Sequence, residues 1–509
     1  MKKGKVYLVG AGPGEPRLIT VRGLECIKEA DVIIYDRLVD KRLLDAAQAG
    51  IELIYVGKSP QSRIMEQSEI NKLLIDKAEE GKVVVRLKGG DPFIFGRGGE
   101  EAEALADSHI PFEVVPGIPA GVAVPAYAGI PVTHRGLASS FAIVTGHEDP
   151  TKSESSIAWD RLATGVDTLV FLMGMENLPQ IADQLIKNGR SPDTPVALIH
   201  DGTGHGQQTV TGELENIVLL ARERDLRPPA VIVVGDVVRL RDKLRWFDNQ
   251  PLFGKRVLVT RVRQQASALS KLLSEHGAEP IEMPAIAIGE MPDYGELDQA
   301  ILTLSHYNWV VFTSVNGVES FFTRLGVHGM DAREFKGIKL CAVGPATAAA
   351  LENYGLKVDY MPHKYTTDAI AAGFEDKDIR GKQILLPRSE IAQEELIERL
   401  VSLGAKVKQV SAYRVVPATE DISLGRQMLL DGKIDIVTFT SSSTVRNLVS
   451  LLGEDRQTLD KTTIACIGPV TTATATELGL RVDIEAKEHT IPGLVDAIMQ
   501  KYSNNRKGD

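Results

Sequence analysis

The second half of the chain contains an internal duplication, and this feature limits the folds that the chain can adopt. Three segments recur in the same order at an offset of about 125 residues, far longer than the roughly 20–50 residues of a solenoid repeat. The matched pairs are GKRVLVTR and GKQILLPR, WVVFTSVNGV and DIVTFTSSSTV, and CAVGPATAAALENYGLKV and ACIGPVTTATATELGLRV. Each copy reads strand, helix, strand, helix, with a Gly-Pro turn before a helix. The duplication therefore predicts two similar doubly wound α/β subdomains with parallel sheets, covering about 254–380 and 381–502.

The first half alternates short strand-like runs with segments of helical length. The strand candidates are KVYLVG, DVIIYD, ELIYVG, KVVVRL, FEVVPG, FAIVTGH, TLVFLMG, PVALIHDG and AVIVVGDVV. This alternation predicts an α/β domain, and 509 residues are too many for one hydrophobic core. A charged run followed by Asn249, Pro251 and Gly254 marks a boundary at about 246–254. We therefore predict domains at 1–248 and 252–502, the second with two lobes around a ligand cleft.

The charge balance limits the partners of the protein. A formal net charge of −10 argues against non-specific nucleic-acid binding, which needs a basic surface. No window approaches roughly 18 consecutive apolar residues, and the chain runs directly into a strand, so we expect neither a membrane span nor a secretion signal. The three cysteines lack metal-ligand spacing, so we expect no metal site and buried free thiols in a reducing cytoplasm.

The glycine-rich stretch VGAGPGEP follows the first strand candidate, as the phosphate loop of a dinucleotide site does. Asp36 lies roughly twenty residues further on, at the position of a ribose-binding acid. However, Glu15 occupies the third glycine position of that fingerprint, and Pro13 removes an N–H that a phosphate would need. These departures disfavour a nicotinamide cofactor, and a tight structural turn without a ligand stays open as an interpretation.

A second glycine-rich stretch, VVVRLKGGDPFIFGRGGEE at 83–101, combines a possible ligand turn with positive charge. Gly89 and Gly90 allow close backbone approach to a ligand, and Asp91 offers an acceptor for hydroxyl or ammonium groups. The nearby cations, which suit carboxylates, are Arg86, Lys88 and Arg97. The residues alone leave open a plain turn with solvated charges.

These stretches belong to a longer series that resembles the uroporphyrinogen-III C-methyltransferases of the tetrapyrrole methylase family. The series, across residues 6–238, is VGAGPGEP, YDRLVD, YVGK, VRLKGGDPFIFGRGGEE, VPGIPA, GIPVTHR, VTGH, FLMG, PVALIHDGT and PAVIVVGDVV. The resemblance implies two α/β lobes, S-adenosylmethionine as cofactor and a homodimer formed through this domain. It implies cofactor contacts at Pro13, Gly89, Gly90, Asp91, Ile94, Pro119, Ala120, Met173 and Gly202. Pro119 stands where this family often has threonine, which leaves only a backbone contact there.

The same resemblance implies two acid–base residues, Asp36 as proton acceptor and Lys58 as proton donor. A surface ion pair or helix cap is the alternative role for Asp36, and carboxylate binding is the alternative for Lys58. The candidates for binding the carboxylates of the substrate are Arg37, Arg86, Lys88, Arg97, His134, Arg135 and His147.

The second domain resembles uroporphyrinogen-III synthase over about residues 252–502. The segments that carry the resemblance are LVTR, FTSVNGV, AVGPATA, LLPRSEIA, SAYRVV, VTFTSSSTV and CIGPVTTA. It implies closure of hydroxymethylbilane with loss of water, in which Tyr413 helps the hydroxyl to leave; a lobe-interface tyrosine is the alternative. Candidate carboxylate-binding hydroxyls at helix N-termini, each with a plain helix-capping alternative, are Ser314, Thr347, Ser442 and Thr471.

Together the two resemblances predict a bifunctional enzyme, because the product of the second domain is the substrate of the first. The first domain would methylate uroporphyrinogen III twice to precorrin-2, towards sirohaem or cobalamin. The alternatives are a methyltransferase for a later corrinoid and a second domain that only binds a ligand without catalysis.

Overall fold

The computed structural model describes residues 3–57, 65–147, 156–260, 263–284, 286–363, 367–390, 394–417 and 423–505. Two compact units divide the chain, Met1–Lys255 with Ser274–Glu279, and Arg256–Leu273 with Pro280–Asp509. Within the described ranges, no helix has both the length and the apolar character that a membrane crossing requires. All four sheets are flanked by helices, so the predicted α/β architecture is confirmed.

The first unit contains two five-stranded sheets. Its strands are β1 (Lys5–Gly10), β2 (Val32–Tyr35), β3 (Glu52–Tyr55), β4 (Val83–Lys88), β5 (Phe112–Val115), β6 (Phe141–Thr145), β7 (Thr168–Leu172), β8 (Pro195–His200), β9 (Gln208–Glu213) and β10 (Ala230–Val234). Its helices are α1 (Val21–Glu29), α2 (Gln67–Glu79), α3 (Gly98–Asp107), α4 (Ala120–Tyr127), α5 (Trp159–Gly165), α6 (Leu178–Lys187), α7 (Ile217–Glu223) and α8 (Arg241–Leu244).

The first sheet has the order β3-β2-β4-β1-β5, and all its pairings are parallel. Its strands read as apolar runs because both faces are covered: Val6 and Leu8 belong to one core and Val9 to the other. Parallel strands end at one edge of their sheet, which is where ligands bind in α/β folds. The loops after β1, β2, β4 and β5 therefore share one edge, and they contain most of the predicted cofactor residues.

The second sheet has the order β6-β7-β10-β8-β9. Strand β10 is antiparallel to β7 and β8, so those two run the same way, and β6 is parallel to β7. The loops after β6, β7 and β8 consequently share an edge. Nine of these ten strands match the strand candidates of the sequence; β9 was missed because QTVTGE is a polar, half-exposed edge strand.

From residue 256 onward the strands are β11 (Arg256–Val259), β12 (Glu279–Glu282), β13 (Ile286–Gly289), β14 (Trp309–Phe312), β15 (Lys339–Ala342), β16 (Gln383–Ser389), β17 (Lys406–Pro417), β18 (Ile436–Phe439), β19 (Thr463–Cys466) and β20 (Ile484–Glu485). The helices are α9 (Arg263–Glu275), α10 (Gly295–Leu302), α11 (Val315–Val327), α12 (Pro345–Asn353), α13 (Thr367–Glu375), α14 (Glu395–Ser402), α15 (Ser423–Leu430), α16 (Ser442–Leu452), α17 (Pro469–Glu477) and α18 (Ile491–Asn505).

The two sheets of this region do not correspond to the two sequence repeats. Their orders are β12-β11-β18-β19-β20 and β13-β17-β16-β14-β15. The first β-α-β segment of each repeat thus joins the sheet that contains the later strands of the other repeat. The prediction that 254–380 and 381–502 each form a separate doubly wound sheet is therefore wrong. The two copies of a strand present nearly identical edges. A strand of one repeat can therefore pair with either copy of its neighbouring strand and satisfy the same backbone hydrogen-bonding groups.

The segments that pass between these sheets pair with each other. Strand β13 runs antiparallel to the end of β17, with Ile286 opposite Pro417 and Gly289 opposite Arg414. The earlier part of β17 is parallel to β16, and its register shifts so that Arg388 lies opposite Ser411 and the next residue opposite Tyr413. Such a bulge re-aims a side chain, and here it lies next to Tyr413.

Candidate active sites

Four glycines bring the loops after β1, β4 and β5 into direct backbone contact. A Cβ atom at Gly10 would lie 2.6 Å from the Cα of Gly117, and one at Gly117 would lie 2.2 Å from the carbonyl oxygen of Gly90. Gly12 and Gly90 form a two-residue bridge, in which Gly90 N donates to Gly12 O at 2.7 Å and Gly12 N to Gly90 O at 3.2 Å. The glycines of VGAGPGEP thus serve close packing of loops.

The N–H groups of the first glycine-rich loop are largely used within the fold. Ala11 N donates to Lys88 O at 2.7 Å, and the N–H of the buried Glu15 donates to the Oγ1 of Thr203 at 3.2 Å. Together with the bonded N–H of Gly12, this leaves little for a pyrophosphate, in agreement with the expectation against a nicotinamide site. The Glu15–Thr203 bond also joins the loop after β1 to the loop after β8, which contains Gly202.

Asp91 fixes the predicted cofactor loop after β4 by accepting two backbone hydrogen bonds. Its Oδ1 accepts from Phe93 N at 2.8 Å and its Oδ2 accepts from Gly117 N at 3.0 Å. Gly90 has φ +69°, a left-handed conformation that favours glycine, and a Cβ there would lie 3.7 Å from Ala120 N. The side chain of Ile94 is exposed. This turn therefore presents a glycine without a side chain and an exposed apolar side chain.

The remaining cofactor candidates lie on neighbouring loops. Pro119 is the residue before α4. Pro13 lies between Gly12 and Glu15, whose N–H groups donate to the loops after β4 and β8. Met173 follows β7 with φ +56° and an exposed side chain (54%). Gly202 is pressed against α4, since a Cβ there would lie 2.3 Å from a methyl group of Val124.

A buried ion network lies behind Asp36, which is the residue after β2. Arg86 Nη2 donates to Asp36 Oδ1 at 2.6 Å and Arg86 Nε donates to Glu101 Oε1 at 3.0 Å. Lys88 Nζ donates to the same Glu101 oxygen at 2.8 Å. The side chains of Arg86 and Lys88 are 2% and 3% exposed and that of Glu101 is fully buried, whereas Asp36 is 31% exposed. Burial, followed by the charge of Arg86, lowers the pKa of Lys88.

This network corrects the sequence-based roles of Arg86 and Lys88. Both were predicted to bind substrate carboxylates, but they are buried and paired with carboxylates of the protein. Glu101 was not singled out from the sequence. The sequence nevertheless indicated that such a residue must exist. Two cations at alternate positions of the apolar strand β4 share one face of the sheet, and they need a buried anion as a partner.

The other predicted substrate-binding cations are exposed. Arg97, with φ +57°, forms a two-bond ion pair with Glu100. His134 begins a short turn closed by bonds to Ala138. The exposed set is Arg37, Arg97, His134, Arg135 and His147. Lys58 lies outside the described residues, although Gly57 before it lies against the backbone of Arg37.

In the second unit, Tyr413 is hydrogen-bonded to Ser314. Its hydroxyl lies 3.0 Å from Ser314 Oγ, and Ser314 is also the N-cap of α11, accepting from Gly317 N at 3.0 Å. The ring of Tyr413 is buried in an apolar core. Arg388, which the sequence did not single out, is buried near Tyr413; burial lowers its pKa and the tyrosine partly offsets this.

The other predicted hydroxyls differ in accessibility. Thr347 and Thr471 are buried in the first turns of α12 and α17, so the prediction that they contact substrate carboxylates does not fit their positions. The N-cap of α16 is Ser441. Ser442 follows it, and its Oγ accepts from Thr474 at 2.8 Å.

The three cysteines are buried free thiols, as the sequence indicated. Burial raises the pKa of Cys341 to about 12 and that of Cys466 to about 11. The pKa of Cys26 is also raised by burial. None of them is therefore a thiolate near neutral pH.

The predicted site residues of both units lie largely at the carboxyl ends of parallel strands, an arrangement typical of α/β enzymes. Comparison with known proteins gives the family. Residues 5–218 match the model for tetrapyrrole (corrin/porphyrin) methylases, and residues 267–496 match the model for uroporphyrinogen-III synthase HemD. The chain belongs to the tetrapyrrole-biosynthesis family in which a uroporphyrinogen-III C-methyltransferase is joined to a uroporphyrinogen-III synthase.

Individual relatives cover the whole chain or its first part. A porphyrin biosynthesis protein HemD of Ruminiclostridium josui is 37% identical over 99% of both chains. An S-adenosyl-L-methionine-dependent uroporphyrinogen III methyltransferase of Methanosarcina barkeri is 56% identical over 47% of this chain and 94% of its own. A Thermus thermophilus uroporphyrin-III C-methyltransferase crystallised with S-adenosyl homocysteine is 41% identical, with a TM-score of 0.41, and covers 47% of this chain and 94% of its own.

The residues present in the first unit fit S-adenosylmethionine. This cofactor combines a charged amino-acid end, ribose hydroxyls and an adenine ring whose flat faces pack on apolar surface. Gly90 has no side chain and so lets a ligand approach the backbone closely, and the exposed Ile94 and Met173 offer apolar surface. Because Gly12, Asp91 and Gly117 hold the surrounding loops by hydrogen bonds, these groups are ordered before a ligand binds.

Proposed function

We propose that this protein is a bifunctional tetrapyrrole-biosynthesis enzyme, with an S-adenosylmethionine-dependent C-methyltransferase in 1–248 and a synthase in 252–502. The observation that carries the proposal is the similarity to a porphyrin biosynthesis protein over 99% of both chains. The synthase closes hydroxymethylbilane to uroporphyrinogen III with inversion of the last ring and loss of water. The methyltransferase then methylates that product twice to precorrin-2, for sirohaem or cobalamin. Similarity across both domains does not favour a second domain without catalysis.

In the methyltransferase we propose that Asp36 is the proton acceptor. When bound, S-adenosylmethionine supplies the electrophilic methyl group. A methylated pyrrole ring must release a proton to become neutral, and a carboxylate at the cleft edge can accept it. Arg86 donates to Oδ1 of Asp36, and within the described ranges Oδ2 accepts no hydrogen bond, which supports Oδ2 as the accepting atom. Lys58 is proposed as the proton donor from the family resemblance alone.

Substrate carboxylates are proposed to bind to exposed cations. The argument is electrostatic: the protein is acidic overall, so a polyanionic substrate needs local positive charge to approach. The proposed set is Arg37, Arg97, His134, Arg135 and His147. The cofactor is proposed to bind to Pro13, Gly89, Gly90, Asp91, Ile94, Pro119, Ala120, Met173 and Gly202.

In the synthase we propose that the Tyr413 hydroxyl assists departure of water. Ser314 Oγ accepts from the N–H of Gly317, so its own hydrogen can be donated to Tyr413 Oη. The Tyr413 O–H can then donate its proton to the departing hydroxyl of hydroxymethylbilane, which leaves as water, and the proton that the ring system loses on closure restores the tyrosine. Ser442, which lies at a helix start, is proposed to bind a substrate carboxylate, whereas the predicted carboxylate contact of the Ser314 hydroxyl would require its hydrogen to leave Tyr413.

One assay tests both activities: the purified chain with hydroxymethylbilane, with and without S-adenosylmethionine. We expect uroporphyrinogen III without the cofactor and the dimethylated product with it. Uroporphyrinogen I alone would contradict the synthase assignment. Uroporphyrinogen III that stays unmethylated with the cofactor present would contradict the methyltransferase assignment.

We also propose a homodimer formed through the methyltransferase domain and a cytoplasmic location. The family resemblance supports the dimer, and the buried free thiols support a reducing compartment. Light scattering of the purified chain tests the dimer, and a monomer mass would contradict it. Fractionation of cells tests the location.

A further inference from the structure

Glu101 is a fully buried carboxylate that two buried cations share. Its Oε1 accepts from Arg86 Nε at 3.0 Å, from Lys88 Nζ at 2.8 Å and from Gln67 Nε2 at 3.2 Å. Its Oε2 has no hydrogen-bond partner among the described residues. Burying charges of this kind costs several kcal/mol per ion before pairing repays it. A network with this cost and an unsatisfied oxygen is poorly explained by stability alone.

The geometry links Glu101 to the cleft through one rigid group. The guanidinium of Arg86 is planar, so fixing the position of Nε fixes that of Nη2. Glu101 holds Nε, and Nη2 reaches Asp36 Oδ1 at 2.6 Å. The other contacts of this guanidinium, from Nη1 to the carbonyl oxygens of Ile34 and Leu87, are long at 3.4 Å. Glu101 is therefore the strongest anchor of Arg86 on the side away from Asp36.

We propose that Glu101 is a positioning residue for methylation, which acts through Arg86 to hold the Asp36 carboxylate with Oδ1 bound and Oδ2 free to accept the proton. This inference rests on the proposed function, in which Asp36 receives that proton. It assigns to the second glutamate of GRGGEE a role separate from that of Glu100, which pairs with the exposed Arg97.

The charges of the network make the prediction specific. Arg86 and Lys88 balance Glu101 and Asp36, two against two. In Glu101→Gln the amide oxygen can take the place of Oε1, but it carries no charge, so the one remaining carboxylate, Asp36, must balance two buried cations. The neutral side chain holds Arg86 less tightly, so the guanidinium is drawn towards Asp36, and Asp36 loses its fixed orientation although its own charge is retained.

The test measures methylation by the full chain with Glu101→Gln. We expect the methyltransferase kcat to fall about 10- to 100-fold, by analogy with loss of the hydrogen-bond partners that orient metal ligands, while KM for S-adenosylmethionine stays within about twofold. Rates are expressed per S-adenosylhomocysteine-binding site, counted by calorimetry, so that a smaller folded fraction does not mimic the effect. Glu103→Gln is the matched control, since it is the same change at an exposed position of α3.

Two further variants separate the possible failures. Asp36→Asn should abolish methylation; if it does not, the proposed role of Asp36 is wrong. If Asp36→Asn is inactive but Glu101→Gln keeps its kcat, the function stands and the positioning role is refuted. Arg86→Lys removes the rigid link and should lower kcat by a similar factor, and the double variant with Glu101→Gln should lose little more. If the losses of kcat in the two single variants add in the double variant, the link through Arg86 is refuted. If Glu101→Gln does not bind S-adenosylhomocysteine, Arg86→Lys tests the link alone, and an unchanged kcat in that variant refutes it.

Discussion

Removing the hydroxyl of Tyr413 separates its catalytic role from its structural one. In Tyr413→Phe the ring stays in the core that surrounds it, and only the hydrogen bond of 3.0 Å to Ser314 is lost. The net contribution of such a bond is about 0.5–1.5 kcal/mol of unfolding free energy. The Ser314 O–H loses its acceptor, but Ser314 is only half-buried and still accepts from Gly317 N–H, so water can replace the tyrosine hydroxyl.

The expected catalytic effect is much larger. A positioned acid contributes about 10²- to 10⁴-fold to a rate, which is roughly 3–5 kcal/mol at 1.36 kcal/mol per tenfold. Tyr413→Phe should therefore fold almost normally and close hydroxymethylbilane far more slowly. Ser314→Ala should lose about 1 kcal/mol with its helix cap and slow the reaction less, because Tyr413 keeps its O–H.

The assay follows formation of uroporphyrinogen III and I by chromatography after oxidation, with methylation of supplied uroporphyrinogen III as an internal control in the same chain. Tyr360→Phe is the matched variant, since its hydroxyl donates to Ala369 O at 3.3 Å in the same unit and has no proposed catalytic part. Unchanged synthase turnover in Tyr413→Phe would refute the assignment. An equal loss in Tyr360→Phe would show that the effect is structural.

Two predictions concern stability. Gly117→Ala places a Cβ 2.2 Å from Gly90 O, so it should lower the free energy of unfolding by roughly 1–3 kcal/mol and weaken S-adenosylhomocysteine binding, measured by calorimetry. Gly165→Ala is the control, because a Cβ there would meet no neighbouring atom within 4 Å. Equal melting temperatures of the two variants would contradict the packing argument. The ion pair with Arg324 lowers the pKa of Asp298 from 3.8 to about 2, so its stabilisation is complete above the unfolded-state pKa and is lost as pH falls through the folded value. Asp298→Asn should therefore lose less stability than the parent between about pH 4 and pH 2, and identical acid unfolding curves would exclude this role.

The sequence alone was sufficient for the class of fold and for the family. Strand runs such as KVYLVG are apolar on both faces, which is typical of covered parallel strands, and they were located correctly. The motifs around Asp36 and Tyr413 gave the family resemblance that the comparisons bear out. These features are local or periodic, so they can be read without knowing which segments meet.

Tertiary structure decided which segments meet and which side chains reach solvent. Periodicity shows that a strand is buried but not which copy of a duplicated strand lies beside it, so the exchange of segments between the two repeats was not predictable. Likewise, a cation near a glycine turn reads as a ligand-binding residue until its environment is known. Arg86 and Lys88 are buried because α3 brings Glu101 to their face of the sheet, and burial of a charge depends on such partners distant in sequence.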